Sequence, residues 1–148
     1  MKKFKFKLQP LVNYKETIER MQKEELRNAQ QALLELQNEE NRLLQAYANN
    51  EHSLSEALER NENVAQALSE HDAYFRFLRD AIKIIRERII RQEEVVLRCQ
   101  EKLIITMKEL KTYEKLKQEQ YQDYLKEVKT EEEKEMDDLV SFKIVSGT

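Results

Sequence analysis

The chain has 148 residues, 40% hydrophobic and 37% charged, with a formal net charge of −3. This near-neutral balance gives no global case for nucleic acid, and no apolar run approaches the ~18–20 residues needed to span a bilayer. Its one glycine (Gly147) and one proline (Pro10) stand near the ends, which excludes a compact fold of many short elements, since such folds need turn residues throughout.

Ala, Glu, Leu, Lys and Arg make up about half the chain, the composition of long helices and coiled coils. Such a chain fills a narrow seam and not a wide core. The single cysteine forms no intramolecular disulfide and fits a reducing compartment. The basic N-terminus lacks the apolar segment of a secretory signal. A cytoplasmic protein is expected.

Residues 1–8 alternate Lys with Phe4, Phe6 and Leu8, as a short extended arm or a basic first helical turn. Lysines oppose the macrodipole at a helix N-terminus, which disfavours unaided helix there. Pro10 is tolerated only in a first turn, so a regular helix begins within a few residues of it. Leu11, Ile18, Leu26, Leu33, Leu36, Leu43, Tyr47 and Leu54 then recur at helical spacings and predict a first helix over about 8–64. Gln22, Glu40, Asn50 and Asn61 interrupt the stripe, and polar residues at such positions fix register in coiled coils.

A break is expected at about 61–72. Asn61 and Asn63 can end a helix, and Ser69 and Asp72 can each cap a new one. Folding back near residue 66 leaves two arms of equal length, each rising ~90 Å for ~60 residues. One continuous helix dimerising in parallel is the alternative. The second helix is expected over about 70–140. Two heptad series run through it: Ile82, Ile89, Val96, Leu103, Leu110, and Leu78, Ile85, Gln92, Cys99, Thr106, Tyr113. They alternate at spacings of four and three, the mark of a helix burying a narrow seam against another helix. The fold class expected is therefore all-α, a single antiparallel coiled-coil hairpin over 1–148. The acidic run Glu131 to Asp138 would return beside Lys2, Lys3, Lys5 and Lys7, and the last residues would fray.

No constellation for chemistry is present. There is no phosphate-binding glycine loop. His52 and His71 lack metal-ligand spacing, and Cys99 on the seam reads as a small buried hydrophobe. No catalytic residue, metal or cofactor is expected. What remains is surface. Arg76, Arg79, Lys83 and Arg86 form a basic stripe with Arg88 and Arg91 beside it, suited to solvent or to an acidic partner. Tyr74, Phe75 and Phe77 exceed what one seam covers, and Phe4 and Phe6 lie outside the heptads, free to dock elsewhere.

The opening Phe4-Lys5-Phe6-Lys7-Leu8-Gln9-Pro10-Leu11-Val12, with Lys15 and Glu16, resembles the N-terminal signature of the FliJ family of the flagellar type III export apparatus. The segment Tyr74 to Leu78, the stretch Leu110 to Lys117, Tyr124 and the Glu-rich end closing at Asp137-Asp138-Leu139 are similar to it as well. The resemblance implies a non-enzymatic antiparallel coiled coil, like the central stalk of rotary ATPases, that partners a hexameric export ATPase, the membrane export gate and export chaperones. It implies a place in the cytoplasm, peripheral to the membrane at the flagellar base, without membrane insertion. Folding back near residue 66 sets Tyr47 level with Ile85, Leu44 close to Arg88, and Glu51 opposite Ala81. Leu44, Tyr47, Tyr74, Leu78, Ala81 and Ile85 resemble a family pattern for gate binding. Phe4, Phe6, Leu8 and Leu116 are the residues expected to meet the ATPase ring. A nucleic-acid-binding arm using Arg76 to Arg91, or a self-associating adaptor, are the competing readings; direct nucleic-acid binding is not expected.

Overall fold

The computed structural model describes residues 2–60 and 63–147. Two long helices pack against each other, with no strand among the described residues. The first, α1, spans Gln9–Glu59 and the second, α2, Val64–Ser146. The fold is an all-α antiparallel hairpin.

Local chemistry sets the helix ends. Residues 2–6 are non-helical and a turn at 7–8 leads into α1. The Gln9 amide donates to the Phe6 carbonyl at 3.1 Å and the Val12 amide to Leu8 at 3.0 Å. Pro10 thus sits in the first turn, where no intrahelical donor is required. The start of α2 differs from the expected break at 61–72. Asn63 opens the second helix and does not close the first. Its side-chain oxygen accepts from the Gln66 amide at 3.4 Å, the N-cap arrangement that satisfies one orphan donor. Ser69 and Asp72 therefore lie inside α2, where the Asp72 carboxylate pairs with Arg76 at 3.0 Å. Asn61, the other expected helix-ending residue, lies outside the described residues. At its far end α2 continues to Ser146, past the expected limit near 140.

The chain divides into two units, one of residues 21–103 and one of residues 1–20 with 104–148. In the first, α2 supplies the best-covered side of the seam. Leu78 is 1% exposed, and Ile82, Ile85, Ile89, Val96 and Leu103 are all buried. From α1 only Ala29, Asn50 and Ala57 reach full burial, while Leu26, Leu33, Leu36, Leu43 and Tyr47 are half-buried.

Polar residues lock the register across this seam. The Asn50 amide donates to the His71 carbonyl at 3.2 Å, and the Gln92 amide to the Ala29 carbonyl at 3.0 Å. Glu40 receives Arg86 at 3.2 Å, and the Tyr47 ring packs on Phe75 with centroids 4.8 Å apart. These partners are symmetric about residues 60–63 and not about residue 66. Tyr47 is accordingly level with Phe75, not with Ile85, and the pairings expected for Leu44 and Glu51 shift equally. The shift goes with the start of α2 at Val64, ahead of the expected start near 70.

In the second unit the N-terminal arm lies on α2. Phe6 is 5% exposed, and the Phe4 ring meets Tyr121 and Tyr124 at centroid distances of 5.2 and 5.6 Å. The Tyr124 hydroxyl donates to the Lys2 carbonyl at 2.8 Å, and the Lys117 ammonium to the Gln9 side-chain carbonyl at 2.9 Å. Lys2 is thus level with Tyr124. The acidic run 131–138 lies ~10–21 Å further along α2 at ~1.5 Å per residue. It does not return beside Lys2, Lys3, Lys5 and Lys7 as expected. The earlier reversal of the chain accounts for this displacement too.

Candidate partner-binding surfaces

The six residues expected to form a gate-binding face do not share one surface. Leu78 and Ile85 are seam residues, 1% and 6% exposed. Their heptad positions aim them at α1, so neither presents a side chain to a partner, and as contact residues they are corrected to packing residues. Ala81 is half-buried. Tyr74 is 44% exposed, and its ring stacks on that of Phe77, centroids 6.3 Å apart.

Leu44 and Tyr47 belong to a separate groove in the 21–103 unit. Its apolar lining is Leu44 and Tyr47 of α1 with Ile82 and Ile90 of α2. Its charged lining is Arg79, Lys83 and Arg86, with Glu87. Ile82 is buried, whereas Leu44 and Ile90 are exposed, so the groove has an apolar floor and an apolar outer wall. Arg86 is held by Glu40 and Arg76 by Asp72. Among the described residues Arg79 and Lys83 form no ion pair.

Ile90 was not singled out in the sequence, although a signal exists. Ile90 and Leu97 follow the seam residues Ile89 and Val96 by one position each. An apolar residue repeating every seven places just off the seam marks a second helical stripe. Both are more than half exposed.

The expected ATPase-facing residues lie in the other unit. Phe6 is buried, and Phe4, Leu8 and Leu116 are half-buried. The expectation that Phe4 and Phe6 stand free is corrected, because Phe6 is buried and the Phe4 ring packs on Tyr121 and Tyr124 of α2. A depression there is lined by Phe4, Lys5, Phe6, Lys7, Pro10 and Lys117 among others. Nearby, Lys15 pairs with Glu109 at 2.5 Å. That hydrogen bond raises the Lys15 ammonium above its ordinary value, outweighing an opposite push from burial.

Among the described residues no group of three or more His, Cys, Asp and Glu is placed to hold a metal. Among the described residues no helix is long and apolar enough to cross a membrane. His71 contacts the Ala67 carbonyl at 2.7 Å, and His52 lies 3.1 Å from Glu56. Cys99 is half-buried on the seam.

A two-helix antiparallel coiled coil whose distinguishing features are lateral grooves and an aromatic-pinned arm belongs to the class of coiled-coil interaction proteins. Residues 4–146 match the family described as Flagellar FliJ protein. The chain belongs to that family, a non-catalytic component of the flagellar export apparatus. No curated protein and no solved structure matches the chain significantly.

Proposed function

We propose that this chain is a stalk-like coiled coil that links the hexameric export ATPase ring to the membrane export gate and handles export chaperones. It performs no catalysis and carries no cofactor. It works in the cytoplasm, associated peripherally with the membrane at the flagellar base. The observation that carries this reading is the family match over 4–146. Paired helices suit such a role, since they offer surfaces to partners without doing chemistry themselves.

On this reading Leu44, Tyr47 and Tyr74 meet the gate, while Leu78, Ala81 and Ile85 hold the helices that present them. Phe4, Leu8 and Leu116 face the ATPase ring, and buried Phe6 fixes the arm that carries Phe4. The test combines Leu44→Ala with Tyr74→Ala and measures binding of the gate's cytoplasmic domain alongside thermal melting. Loss of binding with little change in melting supports a contact surface. Binding that falls only in step with stability refutes it. For the other end, Phe4→Ala should weaken stimulation of the ATPase while the chain stays helical, and undiminished stimulation removes Phe4 from that face.

A further inference from the structure

The groove of the 21–103 unit carries enough chemistry to define its occupant. We infer that it receives an acidic amphipathic helix of a partner protein, with carboxylates at the Arg79–Lys83 end and aliphatic side chains against Leu44, Ile82 and Ile90. This rests on the reading that Leu44 and Tyr47 belong to a partner face, and adds what that partner presents.

Shape and charge both lead there. The α2 side of the groove runs from Arg79 to Ile90, a rise of about 16 Å or three helical turns. Its apolar wall continues along α2 through Leu97, seven residues beyond Ile90 and 54% exposed. A stripe with that period complements another helix, and two helices side by side offer the groove that a third fills. Among the described residues Arg79 and Lys83 line it without carboxylate partners, whereas Arg86 is already engaged by Glu40. Glu87 stands two turns beyond Arg79 on the same helix. The occupant therefore needs negative charge at one end only, which fixes its direction. The apolar lining argues against a nucleic-acid backbone, whose phosphates gain nothing from Leu44, Ile82 or Ile90.

The test uses the full chain and a fluorescent, end-capped peptide of about 18 residues, long enough to hold a helix. Its leucines repeat at three- and four-residue spacings, and its flanking positions near one end carry glutamates. A counterpart replaces those glutamates with lysines. Anisotropy should show the acidic peptide binding about tenfold more tightly than the basic one, with a preference that shrinks as salt rises. Arg79→Glu with Lys83→Glu should abolish or invert the preference, while Glu87→Gln should leave it intact or enlarge it; helicity and melting are checked for both.

Equal binding of the two peptides, or no binding of the acidic one, overturns the inference. So does an unchanged preference in the charge-reversed variant. Displacement of the acidic peptide by a DNA duplex would assign the stripe to phosphate recognition and overturn it as well. Self-association in sedimentation velocity that Arg79→Glu with Lys83→Glu dissolves would assign the groove to a second copy of this chain, with the same consequence. The gate's cytoplasmic domain is measured in parallel. If it fails to bind while the acidic peptide binds, the proposed function fails and the groove's specificity stands. If it binds and charge reversal changes nothing, the specificity alone fails.

Discussion

Leu78→Ala tests whether Leu78 is a structural residue or a contact residue. Leu78 is 1% exposed, the most completely buried large side chain among the described residues. The substitution removes three carbons, each worth about 0.8 kcal/mol of transfer free energy, so about 2.4 kcal/mol is lost before any cavity forms. Leucine truncations in enclosed cores cost about 2.7–5.0 kcal/mol because the cavity persists. A two-helix seam is open at its flanks and relaxes more readily, which puts the expected cost near the lower bound, about 2.5–3 kcal/mol. Leu44 is 39% exposed; with the transfer part reduced in proportion and no enclosed cavity, Leu44→Ala should cost about 1.5 kcal/mol or less. Urea unfolding followed by helicity at 222 nm measures both, and unchanged slopes establish that the difference lies in stability. If Leu78→Ala cost less than Leu44→Ala, or under about 1 kcal/mol, Leu78 would not be a packing residue.

Two further outcomes follow from the polar contacts. Asn50→Ala, which removes the hydrogen bond to the His71 carbonyl, should lower stability by about 1 kcal/mol. Asn50→Leu should be neutral or stabilising, since an apolar residue suits the seam and only register specificity is lost. Equal losses in the two variants would show that the hydrogen bond, which both remove, outweighs the gain from an apolar side chain, and would refute the expectation for Asn50→Leu. The Lys15–Glu109 pair should also be visible in the pH dependence of stability. The Lys15 ammonium titrates above its ordinary 10.5 in the folded chain, so its contribution is complete below that value and disappears as pH rises through the raised one. The difference in urea midpoint between the native chain and Glu109→Gln should hold constant from neutral pH upward and close in strongly alkaline solution. A difference that widened there would contradict the assigned direction.

The sequence by itself determined the helices and the face each one buries. Ile82, Ile89, Val96 and Leu103, with Leu78 and Ile85, repeat at heptad spacing, and all six are buried. Periodicity is a local property, written into every seven residues, and needs no knowledge of the partner. The polar seam residue Asn50 was likewise legible, because an amide on an apolar stripe must find a partner across it.

Register was decided only by the tertiary structure. No glycine marks the reversal, and moving its centre by one residue moves every cross-helix partner by two. The cross-helix contacts put that centre near 60–63, so Tyr47 met Phe75 where Ile85 had been expected. The same displacement left the acidic run beyond the lysine arm. The covering of Phe6 and the joining of Leu44 to Arg79 and Lys83 in one groove also depend on which residues of α1 lie opposite which of α2. That choice is a sum over contacts distant in sequence, in which heptad-related alignments compete.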